Sequence, residues 1–511
     1  MRLLICALLA LAGAPLFAVD PAAPVPVEPT VNGPGVALSL DQCVAQALAK
    51  NFNVRISTYA ADSAQAGIVL AQSVYDPVLG VSWQRVVTRS ADPLALETIN
   101  PATGLPYLAL GVGLPYENDQ QTTLSASENL ITGGTVSADY ILARDQGTPA
   151  RLFLNPAYTG DISLNVSQPL LAGAGVDYSM ALIKYAKLSS KIGGLNLKSS
   201  VLTMIFNVES AYFDVIFAQQ NYDVAKDAVK LAQQLLDENT IKRQTGVLTD
   251  LDVVQAEAGV ATAKNTLILA LQAVGNTEDT LLQTMGEMQF RTQVGAIPLT
   301  PSPDTDVSFD RSYKLARDTG PTLAVVQATI DQYQLLALRA KRNVLPTLNV
   351  TGGAGYANER TSYDSAISHV FGPGYNWQAG INLSIPIGLR SAKAQYRQAV
   401  DNVHTGEAEY DQADQTLTVQ LRAAVRSIEA NHESVNSARD TVRLSEKQYE
   451  LQRARFDAGL ATSYDVLLMQ NQLESSRVAL IQAEVNLRIA VADLRFLEGS
   501  SLQTYHVNLK S

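Results

Sequence analysis

Residues 417–456 read LTVQLRAAVRSIEANHESVNSARDTVRLSEKQYELQRARF, and this stretch decides the fold. Apolar residues recur there at every seventh position, and a second set with the same period lies four positions before the first. Such a repeat predicts a helix that packs side by side with other helices along a seam. The first seam consists of Leu421, Ile428, Val435, Val442, Tyr449 and Phe456, and the second of Leu417, Ala424, Asn431, Ala438, Ser445 and Gln452.

The helix around this stretch is predicted over Ser391–Arg455, and a second helix of the same kind over Tyr178–Lys242. Each spans 65 residues, or about 98 Å of helix. That length exceeds the usual globular helix and indicates coiled-coil-like packing. The second helix has one seam of larger residues and one of alanines: Val208, Val215, Tyr222, Val229 and Leu236, and Ala211, Ala218, Ala225 and Ala232.

Four shorter helices accompany the long ones. Two short helices stacked end to end roughly equal one long helix in length, which predicts a wall of helices of even height. A two-stranded structural coiled coil is the alternative, but it needs neither shorter partner helices nor intervening strands. The short helices are predicted over Asp41–Val74, Thr249–Gly286, Asp310–Arg342 and Ser463–Glu498.

Strands are predicted between the helices. From Tyr375 to Ile385, apolar residues alternate with Asn, Gln, Gly and Ser, and 162–167 show the same period of two. Residues 136–142 show it less cleanly, because Ile141 breaks the polar face. Strands of about ten residues suit a tilted membrane crossing, although a half-buried strand of a soluble sheet fits the same pattern. Because open strand edges are costly in lipid, so few membrane strands require oligomerisation.

The chain repeats itself at a low level of identity. Ala47 aligns with Ala316 and Pro77 with Pro346 at an offset of 269, whereas Gly246 aligns with Gly459 at an offset of 213. The common order of such pairs indicates two fused copies of one unit. The predicted organisation is a signal peptide (1–18), a Pro-rich tether (19–37), a first repeat (38–295), a linker (296–309), a second repeat (310–499) and a tail (500–511).

Composition excludes several classes of protein. The formal net charge of −11, without a basic cluster, disfavours nucleic acid as a partner. Residues 1–18 resemble an export signal, after whose removal Cys43 is the single cysteine and an intrachain disulfide is impossible. No other segment has about 18 uninterrupted apolar residues. The sequence predicts no catalytic constellation, metal site or cofactor, so the chain is not expected to be an enzyme.

Three motifs, in this order, resemble the TolC family of outer-membrane efflux proteins. Residues 38–48 (LSLDQCVAQAL) resemble its first helix, 167–171 (SQPLL) its strand-to-helix junction, and 455–467 (RFDAGLATSYDVL) the tip between its last two helices. The resemblance covers Leu38 to Gly499. It implies a homotrimer with two strands per repeat, a twelve-stranded membrane β-barrel in outer-membrane lipid, and a periplasmic α-helical barrel below it. The first insertion, Val78–Asn165, exceeds the shortest family pattern, so it lengthens strands, adds a hairpin or forms a surface loop.

The resemblance also implies a function: an exit duct for efflux or type I secretion that works with a periplasmic adaptor and an inner-membrane transporter. A soluble periplasmic coiled-coil scaffold is the rival hypothesis. The repeated tip turns are predicted to present small and apolar residues to adaptor helices, since a Gly between two helices favours positive φ. These docking residues are Gly246, Val247, Leu248, Gly459, Leu460 and Ala461.

Asp252 and Asp465 follow the repeated Gly at the same spacing. An acid in the first turn of a helix is stabilised by the helix dipole, so N-terminal capping alone explains them equally well. In a threefold channel, each inward aspartate would instead become a ring of three carboxylates that favours cations. The resemblance implies acidic residues at this periplasmic entrance. Phe456 and Ala461 stand where relatives place polar locking residues.

Overall fold

A computed structural model describes most of the chain beyond residue 37. The predicted signal peptide and tether, most of the linker and the last four residues lie outside the described part. The described residues are 38–89, 95–99, 102–110, 116–147, 154–288, 294–295, 297, 306–372 and 374–507.

Strands lie between helices in both halves of the chain, which confirms the predicted mixed α and β class. In the described part of the first half, the elements are α1 (Leu40–Lys50), α2 (Phe52–Gln72), β1 (Val78–Arg89), β2 (Ala95–Ile99), β3 (Pro106–Leu110), β4 (Tyr116–Asn129), β5 (Thr135–Gly147), β6 (Ala157–Pro169), α3 (Val176–Gln244) and α4 (Asp250–Thr284). In the second half they are α5 (Phe309–Thr319), α6 (Pro321–Asn343), β7 (Thr347–Arg360), α7 (Tyr363–Ser368), β8 (Tyr375–Ser384), α8 (Arg390–Asp457), α9 (Ser463–Glu498) and α10 (Ser501–Thr504).

The two long helices, α3 and α8, extend two or fewer residues beyond their predicted bounds at each end. Helix α3 packs along α2 and α4, and α8 packs along α6 and α9, as two short helices beside each long one. The predicted seams are the packed surfaces. In α8, Leu421 and Ile428 are fully buried, and in α3 the alanine seam is buried throughout. Small residues on one seam let neighbouring helices approach closely.

Helix α3 also contains the one window among the described residues that is long and apolar enough to cross a membrane by composition. Two-thirds of that window is buried against neighbouring helices. It includes Val201, Ile205 and Val208, which lie at the centre of the main apolar cluster of the first repeat. The apolar character of α3 therefore reflects helix packing.

Two of the predicted short helices are wrong as single helices, because each is broken. Asn51 ends α1 in an extended conformation, and its Oδ1 accepts hydrogen bonds from the N–H groups of Asn53 and Val54 at the start of α2. Gly320 is likewise extended and separates α5 from α6. There the cause is Pro321, which disfavours helical dihedrals in the residue before it. Both breaks fall at the offset of 269.

The six long strands form one antiparallel sheet in the order β1-β4-β5-β6-β7-β8, and β2 and β3 form a separate hairpin. The expectation of two strands per repeat is wrong for the first repeat, which contributes four strands to this sheet. The first insertion adds the β4–β5 hairpin, whose turn closes with a hydrogen bond from the Leu130 N–H to the Gly134 carbonyl (2.8 Å). The second repeat contributes the expected two strands.

The register separates the two faces of the sheet by chemistry. One face carries an unbroken row across the strands: Val81, Leu124, Tyr140, Ile162, Tyr356 and Tyr375. The row beside it on the opposite face reads Gly80, Ser125, Asp139, Ser163, Gly355 and Asn376. Because apolar Leu164 and Val166 are exposed while the neighbouring polar residues Ser163 and Asn165 are less so, we infer that the polar face is the concave one.

A buried acid lies in the helical part. Glu209 of α3 is 2% exposed, and its Oε1 accepts a hydrogen bond from the Tyr505 Oη (2.6 Å). Burial raises the pKa of the Glu209 carboxyl, although the Tyr505 hydrogen bond and the Arg495 charge oppose the shift. A raised pKa means that folding favours the protonated acid. Its stabilising contribution is complete below the unfolded pKa and is lost as pH rises through the folded pKa.

Glu209→Gln is therefore expected to raise the apparent Tm at pH 8 by a few degrees and to change it little at pH 4. The amide keeps the shape of the side chain without the cost of a buried charge. Thermal unfolding followed by circular dichroism between pH 4 and 8 measures the effect, with Glu257→Gln, an exposed acid of α4, as the control. A difference in Tm that is the same at every pH would contradict the assignment.

Candidate functional site

The tips of the long helices carry the predicted site, and both tips have the same backbone geometry. Gly246 and Gly459 adopt φ of +79° and +72°. At the first tip, the N–H groups of Gly246 and Val247 donate to the carbonyls of Arg243 and Lys242, and at the second the corresponding bonds are made. This is the Schellman motif, in which a residue with positive φ ends the helix, so glycine is required at both turns.

The residue after each glycine is apolar and exposed. Val247 is 70% exposed and Leu460 is 71% exposed. In a Schellman motif, an apolar residue here usually packs back onto the last turn of the helix. Lys242 and Arg455 occupy the corresponding position of that turn, and the two apolar side chains stay exposed. The predicted tip residues therefore include two exposed apolar groups at equivalent positions.

Leu248 and Ala461 do not share this exposure. Both pack against a small apolar cluster centred on Leu235, Phe456 and Val466, all of them buried. The Lys242 Nζ lies 3.9 Å from the centroid of the Phe456 ring, a cation–π contact. Phe456 stands where the resemblance to the TolC family implies a polar locking residue. In this chain it is instead part of the packing that joins the two repeats.

Asp252 and Asp465 are the third residues of α4 and α9, and each completes a capping box. The Oδ2 of Asp465 accepts hydrogen bonds from the Thr462 N–H (3.0 Å) and the Thr462 Oγ1 (2.8 Å). The Oδ2 of Asp252 accepts the equivalent bonds from Thr249 at 2.9 and 2.6 Å. The N–H donor of Thr462 lowers the pKa of Asp465. Both residues are only partly exposed, and both cap a helix.

Side-chain bonds between the two repeats hold the tips together, and no local pattern in the sequence predicts them. Buried Asn239 of α3 donates to the backbone carbonyl of Asp252 (3.2 Å) and to the Oγ of Ser463 at the start of α9 (2.6 Å). Arg453 of α8 forms an ion pair with Glu238 of α3. The one available signal was the position of Asn239, which follows Ala232 by seven residues and so continues the alanine seam of α3 with a polar side chain.

The polar face of the sheet is a second candidate surface. The register places six acids on it, mainly towards the ends of the strands that lie away from the helices. Ser, Thr, Asn and Gln fill most of the remaining positions. A concave, polar and acidic surface of this kind suits a water-filled lumen that prefers cations. The six acids are Glu117, Asp119, Asp139, Asp145, Asp161 and Glu359.

No cluster of three His, Cys, Asp or Glu residues with metal-binding geometry occurs in the part of the chain that the structure describes. Cys43 is a free, buried thiol, and burial raises its pKa to about 12. Such a thiol is a poor nucleophile at neutral pH. The tips and the sheet therefore remain the candidate sites.

A family model described as outer membrane efflux protein matches residues 43–287 and 312–500. The chain is 24% identical over 378 residues to outer membrane efflux protein BepC of Brucella suis biovar 1, covering 72% of this chain and 77% of that protein. It is 23% identical over 431 residues to outer membrane protein TolC of Vibrio cholerae serotype O1, covering 80% and 93%.

Solved structures share the fold. The Campylobacter jejuni CmeC outer membrane channel superposes with a TM-score of 0.67 at 17% identity, covering 92% of this chain and 90% of that one. The outer membrane protein VceC of Vibrio cholerae superposes with a TM-score of 0.65 at 15% identity, covering 90% and 96%. At these identities the likeness establishes the architecture alone.

Proposed function

This chain belongs to the outer membrane efflux protein family, and we propose that it forms a homotrimeric exit duct through the outer membrane. The observation that carries the proposal is a two-faced sheet at one end of helices about 100 Å long. The convex face is apolar and suits lipid, whereas the concave face is polar and suits water. The chain lies in the outer membrane, and its helices extend into the periplasm.

The edges of the sheet support the trimer. Among the described strands, β1 and β8 each have a neighbour on one side only. Unpaired backbone groups at such edges cost several kcal/mol each in lipid. Pairing β1 of one copy with β8 of the next removes both edges, and three copies of the six-stranded sheet close a barrel of eighteen strands. The extra hairpin thus replaces the expected twelve strands by eighteen.

A soluble periplasmic scaffold is not favoured. Trp377 and Ile381 of β8 are 73% and 75% exposed on the apolar face, beside other exposed apolar side chains of the same strand. A contiguous exposed apolar surface of this kind marks a membrane or protein contact. A soluble scaffold would leave this apolar surface exposed to water.

The proposal is tested by membrane fractionation of cells that produce the chain, followed by conductance recordings in planar bilayers. The mature chain is expected in the outer-membrane fraction, soluble only with detergent, as a trimer that forms ion-conducting pores in planar bilayers. The conductance tests the lumen independently of the membrane association. A chain that stays in solution without detergent, or a membrane-inserted trimer without conductance, would refute the duct.

At the tips, the proposed partner is a periplasmic adaptor that links the duct to an inner-membrane transporter. Val247 and Leu460 are the apolar contacts, and Gly246 and Gly459 give the turns their shape. Leu248 and Ala461 act beneath them by packing in the tip cluster. Because the two turns share one geometry, a trimer would offer six similar docking points to helices of the adaptor.

Asp252 and Asp465 are proposed to line the periplasmic entrance as two rings of three carboxylates. Each uses Oδ2 in its capping box. Its Oδ1 is then the oxygen that would face a permeating or bound cation. Capping and entrance roles are therefore compatible in one side chain.

A further inference from the structure

The charges of the six-stranded sheet are divided unequally between its two faces. Six of the seven acids of these strands lie on the polar face, the exception being Glu128 at the helix end of β4, whereas all four cationic residues lie on the apolar face. They are Arg85 and Arg89 of β1, Arg144 of β5 and Arg360 of β7. A channel lumen gains nothing from cations on the outside of a barrel, so this arrangement needs a separate explanation.

Three of these residues lie at one height. The register pairs Arg85 with Gln120, Gln120 with Arg144, Arg144 with Tyr158, and Tyr158 with Arg360. Alternate strands of a sheet are about 9.6 Å apart, so one guanidinium group recurs at about that spacing across five strands. We call Arg85, Arg144 and Arg360 the arginine row. Arg89 lies four residues farther from the helices on β1.

The row lies at the outer border of the apolar band. Along β7, the apolar face runs from Leu348, near the helices, to Asn358, in register with Trp83 of β1. Ten residues span about 33 Å along the strand. At the usual tilt of about 40° this is about 25 Å along the membrane normal, the height of the lipid-facing band of a barrel. Arg360 is the next residue on this face.

The surroundings of the row are those of a membrane–water interface. Tyr158 lies within the row, and its ring packs edge to face against the ring of Tyr363 from α7. The two ring centroids are 4.6 Å apart. Arg89 lies over the ring of Tyr116 at 5.9 Å. Tyrosine is enriched at this level of barrels because its ring is apolar and its hydroxyl polar.

The guanidinium groups have no acidic partner within the described residues. Arg85 donates to the Asn118 Oδ1 (2.9 Å), and Arg144 to the Gln146 Oε1 (2.7 Å) and, at 3.3 Å, to the Tyr158 hydroxyl. Arg360 donates to the neighbouring backbone carbonyl of Glu359 (3.0 Å). These neutral acceptors orient the cations without neutralising them, which leaves their charge available to an external anion.

We infer that the arginine row binds phosphate groups of anionic lipids in the outer leaflet. On β1 the row continues directly into the apolar band that acyl chains would cover, whereas on β6 and β7 helix α7 lies over that band at Gly160 and Asn358. A lipid could therefore place its chains on the band beside α7 and its headgroup at the row. Several guanidinium groups at one height match a headgroup that carries more than one phosphate. This inference rests on the proposed membrane barrel, and it assigns the barrel a lipid partner.

The test uses the full mature trimer in neutral detergent. Diphosphorylated lipid A is added, and binding is measured by native mass spectrometry and by the rise in Tm. Parallel samples receive the same lipid without its phosphates, or inorganic phosphate alone. The wild-type trimer is expected to bind the phosphorylated lipid and to be stabilised by it, with little response to the other two probes.

Three variants complete the design. Replacing Arg85, Arg144 and Arg360 together by Gln should weaken binding about five-fold per arginine, on the order of 100-fold in all. Lysine at the same positions should restore most of the affinity, because a phosphate accepts a point charge. A matched removal of three cations from α8, at Arg426, Arg443 and Lys447, should leave lipid binding unchanged.

The outcomes separate this inference from the channel itself. Trimers and conductance are expected to persist in the glutamine variant, because the row lies outside the lumen. A conducting glutamine variant that binds the lipid as tightly as wild type would overturn the lipid site alone. Equal stabilisation by inorganic phosphate would also overturn it, in favour of a soluble anion. A wild-type chain that neither trimerises nor conducts would refute the proposed function instead.

Discussion

Replacing Val247 and Leu460 together by aspartate is expected to abolish export while the trimer and its conductance persist. Both side chains are about 70% exposed, so the change should cost the folded trimer little. In a docked complex, by contrast, an unpaired carboxylate would be buried, at a cost of several kcal/mol. Binding of the adaptor should therefore weaken by roughly 100-fold or more at each tip. Accumulation of a compound whose export depends on this chain measures the effect.

A second variant isolates the role of the charge. Alanine at Val247 and Leu460 removes the apolar contact without adding a carboxylate, and it should reduce export only in part. Bilayer recordings on the aspartate variant should match the wild type, which separates docking from conduction. Normal export by the aspartate variant would remove these residues from the docking surface. Loss of the trimer would show that they serve the fold instead.

The helices were more predictable than the strands, for a physical reason. A seven-residue period that lasts over many turns fixes both the type of element and its packed face, as Leu421 and Ile428 illustrate. Strands offer only a few alternations each. β6 and β8 have clear apolar alternation, and β5 has it with one interruption at Ile141. By contrast, β4 has Leu124 as its one large aliphatic residue, and β7 is rich in glycine and alanine. The extra hairpin was therefore not resolved from sequence.

The breaks within the short helices had local signals in the sequence. The prediction of single helices, based on matching their length to the long helices, did not take these signals into account. Pro321 disfavours helical dihedrals at Gly320, so this pair alone is enough to end a helix. Asn51 is of a residue type that is preferred at the N-cap. A helical period on both sides of such a break concealed it. The equal position of the two breaks in the repeats indicates that the bend belongs to the repeated unit.

At the tips, the sequence predicted what is local and missed what is distant. Positive φ at Gly246 and Gly459, and capping by Asp252 and Asp465, follow from neighbouring residues. The bond from Asn239 to Ser463 joins residues 224 positions apart. Without the packing of α3 against α9, nothing in the sequence pairs them. The same holds for Arg453 and Glu238.

Replacing Asp252 and Asp465 together by asparagine is expected to reduce block by multivalent cations from the periplasmic side about 10-fold or more. Six carboxylates of a trimer would be lost, and each factor of ten corresponds to about 1.4 kcal/mol of binding free energy. Asparagine preserves the size of the side chain and can still accept the capping bond from threonine. Trimer stability should therefore change little. Planar-bilayer recordings with the blocking ion on one side measure the effect.

Because the sheet also carries acids, the blocking cation must be added from the periplasmic side to test the entrance carboxylates. Asp139 and Asp161 lie on the polar face that is proposed to line the lumen, so some cation selectivity should remain after the tip carboxylates are removed. A ring at the entrance, however, is the first that a periplasmic cation meets, so its loss should weaken block from that side most. High salt should weaken the block in the wild type, because exposed charges are screened. If block stays at the wild-type level while the Tm falls, the two aspartates are helix caps only.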